Sequence, residues 1–204
     1  VEEQLGHGAQ GVDALSIAMA FPDDFTTLRM TAERLRLHHA EAVHRMHSNV
    51  QHMAFIGGVR SETQTAEILL RNLAHWDTHG FGVWVVRAKD SRRVAGRVLL
   101  RVMPIDGVDE IELGYSYDPE YWGQGIATEV AKVCMAEAQT HCGFSRFVAV
   151  TNPANSASQH VLRKLGFMDS GQIEQDERPL MLFRRPDALE SRPRDTVTMR
   201  TSST

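Results

Sequence analysis

The chain has 204 residues, 42% hydrophobic and 24% charged, with a net charge of -4. That length can bury a core without metal or disulfide staples, and the charge balance argues against a nucleic-acid binder. No apolar run reaches the roughly 18 residues that a membrane span needs. Two cysteines, Cys134 and Cys142, exclude a disulfide framework and make a reducing cytoplasm the simplest setting.

The total hides an uneven distribution. Only Lys89, Lys132 and Lys164 of the 22 basic residues are lysines, and no Lys, Arg or His occurs between Val102 and Ala131. The same stretch holds Asp106, Asp109, Glu110, Glu112, Asp118, Glu120 and Glu129.

In chain order, residues 1–25 read as an N-terminal extension. Its apolar run from Ala14 to Phe21 follows Glu2, Glu3 and Asp13, whereas a signal peptide begins with a basic region. A loosely docked arm is expected there, with a dimer contact as the sharper alternative. One domain is expected over 26–185. Thr31 to Leu37 alternates like a strand, and Glu41 to His52 reads as a helix. Ser61 and Gln64 fit a capping box opening a helix to His79, with Ile68, Leu69, Leu73 and Trp76 as its apolar stripe and Gly80 as its stop. Strands follow at Phe81 to Val86, Val94 to Met103 and Glu110 to Tyr117. Helical spacing returns from Gly125 to His141. A short strand at Phe147 to Val150, a helix from Ser156 to Leu165 and strands from Phe167 and at Leu180 to Phe183 complete the order. Residues 186–204 are polar and aperiodic and are expected to be a disordered tail. This order predicts an α+β or mixed α/β sheet with helices on its faces.

The chemistry concentrates in the segment from Glu112 to Glu129. A strand ends near Tyr117, a loop with Gly123 and Gly125 follows, and a helix starts at once. Glycines allow positive φ and close ligand approach, and a helix N-terminus offers free amides and partial positive charge. Together they suit a pyrophosphate. With no cation nearby in sequence, backbone amides must do most of the holding. No Lys follows Gly125, so a P-loop does not fit, and Thr128 stands where a dinucleotide fingerprint needs its third glycine.

A second segment lies beyond the next strand, Asn152-Pro153-Ala154-Asn155-Ser156-Ala157-Ser158, leading to Leu165-Gly166-Phe167. Asn155 or Ser156 can cap its helix. Taken with Trp122-Gly123-Gln124-Gly125-Ile126-Ala127, it resembles the GNAT acetyltransferase superfamily, and most nearly the branch of ribosomal-protein N-terminal acetyltransferases. That branch reads Tyr-Trp-Gly-x-Gly-x-Ala-Thr-Glu; Trp122 stands where the wider superfamily has Gln or Arg. The resemblance implies a mixed, mostly antiparallel sheet of six or seven strands, splayed around its fourth and fifth strands, with about four helices. Acetyl-CoA would lie in the splay. Its pantetheine would pair near Ser116 and Tyr117 and contact Asn155. Its pyrophosphate would meet amides of the loop from Trp122 through Gly123, Gln124, Gly125, Ile126 and Ala127 to Thr128. No metal is implied.

Acetyl transfer to an amine needs a base, because a protonated amine cannot attack. Glu110 and Glu112 share one strand face; either, or a water, can serve, and Glu112 is favoured as nearer the splay. A backbone amide near Tyr117 is the natural oxyanion donor. Many superfamily members place a Tyr acid four residues before the Gly-Phe pair; here that position is Leu162, and the resemblance points to Ser158 as donor to the leaving thiolate. The expected acceptor is a primary amine on a protein N-terminus, an aminoglycoside-like drug or a small metabolite. A cationic acceptor is favoured if the acidic residues between Asp106 and Glu120 line its pocket. A homodimer is compatible with the sequence; a nucleic-acid or membrane partner is not expected. The competing readings are a non-catalytic acyl-CoA-binding regulatory module and a nucleotide-binding protein using the same loop. His44, His47 and His52 lack a matching carboxylate or cysteine set and are expected at the surface. Cys134 is expected in the core, and Trp76, Phe81, Trp84 and Tyr121 in the core or a pocket wall.

Overall fold

A computed structural model describes residues 21–175 and 177–187. Eight strands form one sheet, in the order β1-β2-β3-β4-β5-β6-β8-β7. They are β1 (Asp24–Thr26), β2 (Met30–Arg34), β3 (Val83–Ala88), β4 (Val94–Ile105), β5 (Val108–Tyr117), β6 (Phe147–Thr151), β7 (Met168–Gln175) and β8 (Arg178–Arg185). Five helices pack on it: α1 (Ala40–Ser48), α2 (Val50–Met53), α3 (Glu62–His79), α4 (Ile126–Cys142) and α5 (Ser156–Lys164). Every neighbouring pair is antiparallel except β5 with β6. The fold is therefore mixed α+β and mostly antiparallel, with one strand and one helix more than the sequence predicts.

The extra strand is β1, which pairs with β2 from Asp24 to Thr26. Phe21 and Phe25 pack in the core beside Trp84. Packed structure thus begins before position 26, because these two aromatics cover an apolar surface that the sheet cannot cover alone. The rest of the expected extension, and the expected tail beyond Asp187, lie outside the described residues.

The extra helix comes from an interruption. The helix predicted from Glu41 to His52 breaks at Asn49, which is extended (φ -81, ψ 116) and whose side chain accepts from the His52 amide. Asn competes with the helix for backbone donors and restarts it as a cap. The break has a functional consequence, since it turns His52 inward. The capping box at Ser61 and Gln64 forms as predicted, and Gly80 closes α3 in the left-handed conformation.

Period-two alternation divides the buried side chains between the two faces of the sheet. Val83 and Val85 of β3 join Val43, Met46 and Leu69 beneath α1 and α3. Trp84 and Val86 join Val130, Cys134 and Ala138 of α4 and Leu162 of α5. Trp84 is fully buried and is ringed by Phe21, Phe25 and Trp76. Trp84→Ala is expected to lower unfolding free energy by about 3–5 kcal/mol in urea titration; a loss below about 1 kcal/mol would show that the ring of aromatics does not organise this core.

Candidate active site

The sheet ladder fails at one place. β5 and β6 run parallel, and Glu112↔Val148 is the single paired position. On their outer sides both strands are fully paired, β5 with β4 from Ile105 to Gly96 and β6 with β8 along its whole length. Beyond Glu112 the two strands part, leaving a backbone-lined opening in mid-sheet.

Antiparallel alternation decides which groups face that opening. The Asp118 amide bonds to the Ala95 carbonyl at 2.8 Å. Counting back by twos, Ser116, Gly114 and Glu112 turn their backbone groups to β4, and Tyr117 and Tyr115 turn theirs to the opening. This corrects the expectation for Ser116, whose backbone belongs to β4. The Tyr117 carbonyl also accepts from the Trp122 indole at 2.7 Å, so Trp122 braces the strand end. The Tyr117 ring lies in the core, its hydroxyl has no hydrogen-bond partner among the described residues, and burial pushes its pKa well up.

The glycine loop closes one end of the opening. Gly123 and Gly125 both have positive φ, 71° and 77°. A side chain at Gly123 would meet nothing within 4 Å, and one at Gly125 only Arg29 at 3.9 Å, so the loop presents bare backbone. The first helical bond of α4 runs from Glu129 to Gly125, which leaves the amides of Ile126, Ala127 and Thr128 ahead of the ladder. Buried Ile126 anchors this end, and Gln124 bonds its side chain to the Glu120 carbonyl at 2.6 Å.

The loop is less cation-free than the sequence predicts. Arg29, from the β1–β2 turn, donates to the Gln124 carbonyl at 3.0 Å and pairs with Glu129 at 2.7 Å. Burial raises the Glu129 carboxyl, but hydrogen bonds from Thr27 and Arg29 and the Arg29 charge outweigh it and hold the group below the usual range. Arg29, Lys89, Tyr121, Gln124 and Ile126 share a hollow beside the loop. Arg29 arrives from 95 residues away in sequence, and Lys89 from the end of β3, so the local charge count could not show either.

Across the opening, Asn155 caps α5 by accepting from the Ser158 amide at 3.0 Å. Tyr115 extends its hydroxyl to Ser158, 3.2 Å from both its carbonyl and its Oγ. Burial, against the hydrogen bond from Ser158, pushes the Tyr115 hydroxyl up to about 12, so it stays a neutral donor at any working pH. Leu162 is core. An aromatic hydroxyl thus stands beside Ser158 from β5, a feature the sequence reading overlooked.

The other face of β5 carries a polar chain. Glu112 is 5% exposed and pairs with Arg101, while Glu110 pairs with Arg184. His52 bonds Asp118 through Nδ1 at 2.9 Å and Ser116 Oγ through Nε2 at 3.0 Å. Arg97 donates to Ser116 Oγ at 3.2 Å and reaches His47 Nε2 at 3.4 Å, and His47 meets Thr65 at 3.2 Å. His47 and His52 are therefore buried, contrary to the expected surface placement. The missing carboxylate was Asp118, 66 residues away. Burial, reinforced by Arg97 and Arg60, pulls His47 down to about 3. Among the described residues no three His, Cys, Asp or Glu side chains form a metal-sized group, and no helix is long and apolar enough to cross a membrane. Cys134 is buried in the core, and burial raises its thiol pKa.

Comparison with known proteins agrees with this geometry. The Bacillus subtilis protein named uncharacterized N-acetyltransferase YoaA is 26% identical over 151 residues, 73% of this chain and 85% of its own. Mycobacterium smegmatis RimJ, solved with a CoA disulfide, superposes with a TM-score of 0.68 at 21% identity, covering 85% of this chain and 91% of RimJ. The ribosomal-protein-S5-alanine acetyltransferase of Vibrio fischeri superposes with a TM-score of 0.66 at 21% identity, covering 81% and 97%. At such identities the superpositions speak for the fold alone. The family profile described as acetyltransferase (GNAT) domain matches residues 29–168, and with well over half its length inside that match, the chain belongs to the GNAT acetyltransferase family.

Proposed function

We propose that this protein transfers the acetyl group of acetyl-CoA to a primary amine by direct attack in a ternary complex. The observation that carries the reading is the parted β5–β6 ladder opening onto the bare glycine loop. An extended arm with amide groups can complete the ladder, and a pyrophosphate can take the free amides of α4. RimJ in its CoA complex has the same fold. The fold is also that of an enzyme named for an alanine of ribosomal protein S5, which favours a protein N-terminus among the acceptors; a small amine remains within the proposal. The cytoplasm is the proposed compartment, and a homodimer is compatible with it.

In this account the pantetheine pairs with the backbone of Tyr115 and Tyr117 and runs past Asn155. The pyrophosphate sits on the amides from Gly123 to Thr128, with Trp122 bracing the loop. The acceptor approaches from the face bearing Glu112. Arg101 engages Oε2 of that carboxylate, leaving Oε1 to take the amine proton directly or through water. The amine lone pair attacks the thioester carbon, a strand-end amide steadies the oxyanion, and the C–S bond breaks. Ser158 donates a hydrogen bond to the departing thiolate, with Tyr115 as its support; the sulfur takes up the proton that the attacking nitrogen sheds as the adduct collapses, and the products leave as free thiol and amide.

Two outcomes test this. Ser158→Ala is expected to lower kcat by roughly 10- to 100-fold, the worth of one hydrogen bond to a charged group, while the acetyl-CoA KM changes less; unchanged turnover in a thiol-release assay would remove Ser158 from the mechanism. Gly125→Val forces a β-branched residue into positive φ at a strain of roughly 1–3 kcal/mol. It should weaken acetyl-CoA binding at least tenfold by calorimetry, and wild-type affinity in this variant would show that the loop does not hold the cofactor.

A further inference from the structure

The acidic stretch raised the prospect of a cationic acceptor, but three of its carboxylates, Glu110, Glu112 and Asp118, are matched by arginines in the folded protein. Glu110 pairs with Arg184, Glu112 with Arg101, and Asp118 with Arg45. Two further arginines on this side have no carboxylate within 4 Å among the described residues: Arg97 of β4, and Arg60 in the loop between α2 and α3. Arg97 donates only to neutral partners, the Ser116 hydroxyl and His47, and its Nη2 donates to no described residue. Arg60 donates to the Ile56 carbonyl at 3.0 Å and the Met53 sulfur at 3.7 Å, again both neutral.

Both arginines attach to His47, and the Arg60 charge is close enough to act on Arg97. The Arg60 amide bonds the His47 carbonyl at 3.0 Å, and the His47 ring meets Arg97. Burial, then the charges of Arg60 and Arg101, pull Arg97 down to about 10 against an opposing pull from Glu112. Burial, then Arg178 and Arg71, lower Arg60 as well. The loop bearing Arg60 also abuts β8, since a side chain at Gly57 would lie 2.5 Å from Arg178 Nη1. The loop therefore joins the His47 end of α1 to the Arg178 side chain of β8. Guanidiniums drawn from water without a counter-ion are costly in isolation and are relieved by an incoming anion.

We propose, building on the acetyltransferase reading, that the acceptor amine is carried on an acidic molecule, with a carboxylate close to the amine that Arg97 and Arg60 bind at the mouth of the β5–β6 opening. The shared chemistry is an amine with a nearby carboxylate. An acidic N-terminal peptide and a free amino acid both offer it.

The test measures thiol release from acetyl-CoA with matched acceptors. One series is a peptide with an N-terminal Ser followed by Asp-Glu, by Asn-Gln or by Lys-Lys. The other sets free glutamate beside glutamine and their carboxamides. The expected result is at least a tenfold kcat/KM advantage for the acidic member over its amide counterpart in one series, and the series showing it identifies the source. Arg60→Gln and Arg97→Gln should each shrink that advantage below threefold with the acetyl-CoA Kd unchanged; Arg60, in a loop, serves if the Arg97 variant does not fold. Equal or better use of the neutral or cationic acceptors, or a preference that survives both substitutions, would overturn the proposal. Calorimetry with the acidic peptide and free glutamate against the CoA-loaded protein separates the two readings. Arg60-dependent binding of either with no thiol release from any acceptor would keep the anion site and sink the transferase. Thiol release without acidic preference would sink the anion site alone, and neither binding nor turnover would sink both.

Discussion

The fold turns on an interrupted hydrogen-bond ladder. A mid-sheet strand ordinarily has partners on both sides, and an unpaired backbone group away from water costs about as much as a lost hydrogen bond. Here β5 and β6 share one paired position and then separate. Each missing pairing forgoes a net ~0.5–1.5 kcal/mol, which the fully paired outer sides of both strands help the sheet to bear. A ligand able to complete the ladder would recover much of that loss. The flanking elements make sense in this light. α4 begins at the end of the opening with its amides unspent, α5 is capped by Asn155 along one edge, and Trp122 holds the end of β5.

Charge follows a similar division between local and distant sequence. The stretch from Val102 to Ala131 carries seven acidic residues and no cation, yet in the fold it is surrounded by arginines. Arg101 and Arg184 meet the carboxylates of β5, Arg45 meets Asp118, and Arg29 reaches the glycine loop. Ion pairs of this kind contribute little where exposed. Their larger effect is on what the site can attract, because Glu110, Glu112 and Asp118 are already engaged while, among the described residues, Arg60 and Arg97 have no carboxylate within ion-pair distance.

Much of this architecture is legible in the sequence, because it is written in local signals. Ser61 and Gln64, Gly80, the two loop glycines and the Asn155 cap all act within a few residues and fall where the spacing predicts. The single-position pairing of β5 with β6 likewise agrees with the splay implied by the resemblance. What escaped the sequence depends on contacts between distant residues. β1 is too short to show alternation and is held by Phe21 and Phe25 packing on Trp84. His52 looked like a surface histidine because Asp118 lies 66 residues on. Tyr115 beside Ser158, and the parity that gives Tyr117 rather than Ser116 to the opening, require the register of β4 on β5. A sharper reading of Asn49 as a helix breaker was an available signal that His52 turns inward.

The central claim is that acetyl-CoA completes the interrupted ladder and docks on the start of α4. Amide hydrogen exchange with and without acetyl-CoA reads this residue by residue. The account predicts slowing of at least about tenfold, the effect of a bound-state gain near 1.4 kcal/mol, at Tyr115 and Tyr117 and at Ile126, Ala127 and Thr128. Saturating acetyl-CoA that leaves these five amides unchanged while protecting another surface would contradict it.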